Sequence, residues 1–249
     1  MCGICGCSEN NLVVSHNHDE SATENHHHNH DETRMIEIEQ NVFAKNDQFA
    51  FNNKKYFLDK KIMALNIMSS PGSGKTTLLT KTIDNYKNNK AISVIVGDQH
   101  TQLDAEKLIK VGGNVLQVNT GRMCHLDAHL VGHAVVDLAV KENSLLFIEN
   151  VGNLVCPALF NLGEMHKIVL LSVTEGDNKP LKYADMFRVA DLMIINKIDL
   201  LPYVEFDIEK CIEYAQSINP HIEILTLSAT QGKGLNSWYG WLDEKKFKD

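Results

Sequence analysis

The chain has 249 residues, 43% hydrophobic and 22% charged, with a formal net charge of −8, a composition that suits one α/β domain with an appendage. The charge is uneven: residues 1–34 hold six acids against one base, Arg34 (net −5), leaving −3 on a nearly balanced body. Such a body excludes the basic footprint of a nucleic-acid or anionic-membrane binder, and no apolar segment reaches the length of a membrane span.

The start, Met1-Cys2-Gly3-Ile4-Cys5, lacks the charged-then-apolar layout of a signal peptide. The expected location is cytoplasmic, so the six cysteines read as ligands or buried thiols rather than disulfides. Cys2, Cys5 and Cys7 are separated by glycines that let the backbone fold tightly. With the α-amino group freed by removal of Met1, they make a four-donor chelate for a thiophilic ion such as Ni²⁺ or Zn²⁺. His16, His18, His26, His27, His28 and His30 follow among Asn, Asp and Glu. This stretch has almost nothing to bury, which predicts a disordered metal-binding tail over residues 1–34. Residues 35–61 read as a helical lead-in without chemistry, with Ile36, Ile38, Val42, Phe49 and Phe57 available for packing.

From residue 62 to 249 short β-branched runs alternate with helical patterns. Strands are predicted at 62–69, 91–97, 114–119, 144–150, 167–173, 191–196 and 222–227. Their continuous apolar character points to a mostly parallel, doubly wound α/β sheet covered on both faces, with ligand outside the carboxyl ends of its strands. Between the first strand and a helix lies Ser69-Ser70-Pro71-Gly72-Ser73-Gly74-Lys75-Thr76-Thr77. Strand, glycine-rich turn and helix is the context of a phosphate loop. There the backbone N–H groups of Gly72, Ser73, Gly74 and their neighbours converge on an anion. Lys75 reaches the β- and γ-phosphates, and the Thr76 hydroxyl ligates Mg²⁺. Ser69 stands where such loops usually begin with glycine. A plain serine-glycine helix cap is the bland alternative.

Asp98, at a strand end, is a candidate for Mg²⁺. Glu149 ends another strand, and Glu149-Asn150-Val151-Gly152 reads as an acid-x-x-Gly sensor. In that reading the Glu149 carboxylate holds the metal's water shell and the Gly152 N–H meets the γ-phosphate. Asn196-Lys197-Ile198-Asp199 selects the base: the Asp199 carboxylate accepts from both N1–H and the 2-amino group of guanine, a pair that adenine lacks. Lys197 lies along the base, Asn196 braces neighbouring loops, and Ser228-Ala229 offers a backbone N–H to guanine O6. The expected nucleotide is GTP. No residue reads as an activating glutamine or an arginine finger in cis, so intrinsic hydrolysis is expected to be slow.

A second metal site is expected from Cys124 and His125, adjacent soft donors after a strand, with Cys156 four residues beyond Gly152. Three donors per chain underfill a tetrahedral ion, which makes sharing across a two-fold axis attractive. His129 and His133 follow His125 at helical spacing and read as a solvated helix edge, and Cys211 as a buried small residue.

These motifs together resemble the HypB family, GTPases that help insert nickel into nickel–iron hydrogenase. The resemblance rests on Cys2-x-x-Cys5-x-Cys7, the histidine tail, residues 70–77, Gly97-Asp98-Gln99, Cys124-His125-Leu126-Asp127-Ala128, residues 149–157 and residues 196–199. It implies a P-loop fold of the SIMIBI class, GTP/GDP as the nucleotide, GTP-dependent homodimers, a tail site with high nickel affinity, and a second site for nickel or zinc. The implied partners are a HypA-type accessory protein and the hydrogenase large-subunit precursor. It also places residues 175–183 near a dimer interface, where Lys179 or Lys182 would touch nucleotide across the axis. Two other readings compete: a urease-type nickel GTPase, which carries Cys-Pro-His in place of Cys-His, and a nickel store with an incidental nucleotide domain.

Overall fold

The computed structural model describes residues 28–98 and 102–245, with side chains from residue 40 onward. The expectations for Cys2, Cys5, Cys7, His16, His18, His26 and His27 lie outside the described residues, as does Gln99. The chain divides into two units, residues 1–45 and 46–249.

The first described element is a long helix, α1 (His28–Asp59), which begins earlier than residue 35, where the lead-in was expected. An established helix adds a turn at little cost, because nucleation has already been met. In the second unit, Ala50 and Phe57 of α1 are buried.

Among the described residues seven strands follow: β1 (Met63–Ser69), β2 (Ile92–Asp98), β3 (Asn114–Asn119), β4 (Leu145–Glu149), β5 (His166–Ser172), β6 (Leu192–Asn196) and β7 (Glu223–Thr226). They form one sheet in the order β3-β2-β4-β1-β5-β6-β7, and every pairing is parallel. Each predicted strand is present, displaced by at most a residue at either end. Helices α2 (Lys75–Tyr86), α3 (Leu103–Lys110), α4 (Ala128–Asp137), α5 (Cys156–Leu159), α6 (Lys179–Lys182), α7 (Ala184–Val189), α8 (Ile208–Ile218) and α9 (Leu235–Glu244) make the crossovers and cover.

Strands β1, β4 and β6 are buried along their whole length, as a sheet with helices on both faces requires. One core packs Leu65, Ile67, Val94 and Phe147 against Leu78 and Leu79 of α2 and Trp238 of α9. The Trp238 indole N–H is buried and donates to Thr82 Oγ1 at 2.9 Å, so its polar edge is satisfied. The other core sets Met68, Val169 and Ile195 against Met186, Phe187 and Cys211.

Register does the positioning. Glu149 lies level with Ile67 of β1 on one side and Val96 of β2 on the other. The end of β4 is thereby fixed beside the loop that leaves β1 and the acid that ends β2. Ser172 lies level with Asn196, which sets the end of β6 on the far side of the same crevice.

Candidate functional site

The turn after β1 reverses the chain with Gly72 at φ 73° and Gly74 at φ 106°, a left-handed region that costs other residues energy. A Cβ on Gly74 would also run into the Asn196 amide. Helix α2 begins at Lys75, so its first N–H groups face the loop. Ser73 Oγ is buried with no hydrogen-bond partner, an orphan that an anion in the loop would satisfy. Lys75 is buried, and its ammonium donates to Ser69 Oγ at 2.7 Å. The departure from glycine at Ser69 thus supplies an acceptor for the phosphate-reaching lysine. Burial lowers the Lys75 pKa, and the Glu149 carboxylate opposes that shift. Thr77 lies exposed on the outer side of the first helical turn.

A cavity of about 290 Å³ opens over this loop, lined in part by Gly72, Lys75, Asp98, Asp104, Glu149 and Gly152. Thr76 Oγ1 donates to Glu149 Oε1 at 2.8 Å, while Glu149 Oε2 is buried with no partner. Burial raises the Glu149 pKa to about 7, opposed by Lys75 and by the Thr76 bond. The hydroxyl of Thr76 and the carboxylates of Asp98 and Glu149 form an all-oxygen donor set that fits a hard divalent cation. A Cβ on Gly152 would meet the Pro71 backbone at 3.0 Å, so the loop after β4 rests directly on the phosphate loop. Asp104 escaped the sequence reading because an acid in the first turn of a helix is unremarkable until the fold turns it toward this cavity.

The loop after β6 is tied to the phosphate loop twice. Asn196 Nδ2 donates to the Ser73 carbonyl at 2.9 Å, and Lys197 Nζ donates to the Gly72 carbonyl at 2.6 Å. Asp199 Oδ1 is buried without a hydrogen-bond partner. The loop after β7 departs from expectation. The Ala229 N–H donates to Asn196 Oδ1 at 3.1 Å and the Ser228 N–H to the Lys233 carbonyl at 2.8 Å. In this arrangement Ala229 braces Asn196 and Ser228 closes its own turn on Lys233, because a buried amide N–H must be paired.

On the other flank of β4 the structure joins Cys124, His125 and Cys156: their donor atoms all lie within 4.8 Å of one another. A turn of Thr120 through Met123 follows β3, closed by a bond from the Met123 N–H to the Thr120 carbonyl at 3.0 Å. It delivers Cys124 and His125 just before Asp127, whose side chain caps α4 by accepting from the Leu130 N–H at 2.8 Å. Cys156 opens α5, where Asn153 Oδ1 accepts from the Val155 N–H at 2.7 Å and shapes the turn before it. The two sulfurs are 2.7 Å apart, and Cys124 Sγ lies 3.8 Å from His125 Nδ1. Tetrahedral bonds of ~2.3 Å hold two thiolates ~3.8 Å apart, so loading spreads this pair. The His125 ring stacks on Phe160, centroids 3.9 Å apart. Burial lowers its pKa, favouring the neutral imidazole that metals take.

His129 and His133 are exposed, as a solvated helix edge predicts, but their Nε2 atoms also face each other at 3.1 Å. Cys211 is fully buried, its thiol pushed up to about 12 by burial. Lys179 sits over the Tyr183 ring at 5.0 Å, and Lys182 is exposed. Among the described residues no helix is long and apolar enough to cross a membrane.

At the level of class this is a phosphate-loop nucleotide-binding protein with a thiolate–imidazole cluster beside its sensor. The family model described as the CobW/HypB/UreG nucleotide-binding domain matches residues 63–226. The chain belongs to the HypB family. A hydrogenase maturation factor HypB of Rhizobium leguminosarum bv. viciae is 55% identical over 210 residues, covering 84% of this chain and 70% of that protein. The HypB of Escherichia coli strain K12 is 52% identical over 213 residues, covering 86% of this chain and 73% of that protein. Among solved structures, HypB of Archaeoglobus fulgidus superposes with a TM-score of 0.76 at 40% identity, covering 80% of this chain and 98% of that one. HypB of Helicobacter pylori in complex with nickel gives 0.76 at 41% identity, covering 81% and 94%.

Proposed function

We propose that this chain is a GTP-hydrolysing nickel carrier in hydrogenase maturation, in which the nucleotide state sets the geometry of the Cys124–His125–Cys156 site. One observation carries this reading: Cys156 follows the sensor glycine Gly152 by four residues, and Cys124 lies 2.7 Å from it. A loop that moves with the γ-phosphate therefore carries a metal ligand.

GTP sits with its phosphates in the turn formed by Gly72, Ser73, Gly74, Lys75, Thr76 and Thr77. Its guanine is read by Asp199 and lies along Lys197. Thr76, Asp98 and Glu149 would hold Mg²⁺, which supplies charge neutralisation at the β- and γ-phosphate oxygens. Lys75 leaves Ser69 for the phosphates, and the helix N-terminus adds its partial charge. Hydrolysis is slow without an arginine in cis, and it rises as copies assemble.

The three-donor site accepts Ni²⁺ as cargo and fits Zn²⁺ equally in donor chemistry. GTP favours a homodimer in which a second copy completes the coordination. Val155 and Leu159, on either side of Cys156, are exposed apolar residues suited to such a face. Names of the relatives support the wider role: they are hydrogenase maturation factors, and one solved relative holds nickel. The delivery partners are a HypA-type accessory protein and the hydrogenase large-subunit precursor, with Cys2, Cys5 and Cys7 as a separate loading site, all in the cytoplasm. Hydrogenase activity in cells carrying Lys75→Ala or Cys156→Ala tests this: both lose maturation at limiting nickel, and full activity in both would refute the reading.

A further inference from the structure

Cys156 reaches the sensor along the chain, but Cys124 and His125 lie on a different loop, so something must hold that loop to the sensor. Asn150 does. It follows Glu149 directly and is 1% exposed. Its backbone N–H donates to the Ile67 carbonyl of β1 at 3.1 Å. Its side-chain Oδ1 accepts from the Val151 N–H at 3.0 Å and from the Leu126 N–H at 3.0 Å. Leu126 is the residue after His125. The Asn150 Nδ2 donates to Asn66 Oδ1 at 3.2 Å, and Asn66 Nδ2 passes the chain on to Glu164 Oε1 at 3.1 Å. Every polar atom of this amide is therefore committed, which fixes both its position and its orientation.

A second contact runs parallel to the first. Leu126 is fully buried, and its side chain packs so closely on Gly97 that a Cβ there would lie 2.8 Å from it. Gly97 precedes Asp98. The residue after the metal-ligating histidine thus touches both strand ends that face the phosphates, by a hydrogen bond on β4 and by close packing on β2.

We infer that Asn150 is the positioning residue that couples the nucleotide sensor to the metal-bearing loop. This rests on the proposed function, since it names the route by which that coupling travels. When residues 149–152 shift with the γ-phosphate, Asn150 Oδ1 shifts with them. Leu126 N–H either follows, moving His125 and Cys124, or loses its acceptor in a buried place. Either outcome changes the free energy of the metal site, and by linkage a metal bound there biases nucleotide affinity by the same factor.

The test compares nickel affinity in the GDP state with that in a non-hydrolysable GTP-analogue state, for a full-length parent and two variants of it. Cys2, Cys5 and Cys7 are replaced by Ser in all three, so that only the second site is read. Asn150→Ala is expected to bring the ratio of the two affinities to within about twofold of one, from a parent ratio of about fivefold or more. Asn66→Ala, which also breaks buried amide bonds but spares the Leu126 bond, keeps the parent ratio. A parent ratio of one sinks the proposed function itself. A parent ratio far from one that Asn150→Ala leaves unchanged, or that both variants abolish alike, overturns the coupling role alone. Amide hydrogen exchange of the parent chain gives a reading that needs no variant. Protection changes between the two nucleotide states at Leu126 if its bond breaks, or at Cys124 and His125 if the loop follows, and equal protection at all three overturns the inference.

Discussion

Glu149 illustrates how much the site asks of single residues. One carboxyl oxygen holds Thr76 and the other is buried without a donor, and burial lifts the pKa from 4.5 to about 7. Its folded value lies above its unfolded one, so the folded chain keeps the proton longer and loses stability as pH rises from about 4.5 through 7. In the nucleotide-free protein Glu149→Gln is expected to flatten that part of the pH–stability curve, an effect of at most about 3 kcal/mol at neutral pH. Urea unfolding at a series of pH values measures it, and parallel curves for parent and variant would remove the assignment. Asp199 makes the complementary case, a buried oxygen without a hydrogen-bond donor that the proposed function assigns to guanine. Asp199→Asn is expected to weaken GTP by roughly 10–100-fold, the worth of a charge-assisted hydrogen bond. Binding of ATP should barely change; titration with fluorescent nucleotides checks both.

Elements were legible where the chemistry is local in the chain. The phosphate loop, residues 196–199 and the strands announce themselves because spacing and burial are written in consecutive residues. Cys124 and Cys156 were readable as donors from type alone, and the fold brings them together across residues 125–155. What could not be read is tertiary: the bond from Leu126 to Asn150, the Phe160 stack under His125, and the turning of Asp104 into the phosphate cavity. Ser228 and Ala229 were assigned to guanine, yet their N–H groups serve Asn196 and Lys233. Two element-scale predictions follow from close contacts. Gly152→Ala forces a methyl onto the Pro71 backbone, so the sensor and phosphate loops separate; GTP hydrolysis falls at least tenfold while the thermal midpoint moves little. Trp238→Ala removes the ring that closes α9 over the sheet and leaves Thr82 without its donor. Its cost is about 3–5 kcal/mol, read as a shift of the urea midpoint.

At the scale of the molecule, the sheet order puts β1, between β4 and β5, at the centre of the crevice. The phosphate loop leaves β1, the loop of Asn150 to Gly152 leaves β4, and the loop of residues 196–199 leaves β6. The metal donors hang from the loops after β3 and β4, on the flank of the sheet away from the base. In the proposed function one side of the crevice therefore identifies the nucleotide and the other reports its state. If a second copy completes the metal site, turnover per chain should rise with protein concentration, and a plot flat over a hundredfold range would argue for a monomeric catalyst. The most direct measurement is nickel titration of the Cys2, Cys5 and Cys7 to Ser variant, once with GDP and once with a non-hydrolysable GTP analogue. The account predicts affinities that differ by about fivefold or more, with a change in nickel bound per chain as two copies come to share an ion. Identical affinity and stoichiometry in the two states would contradict it.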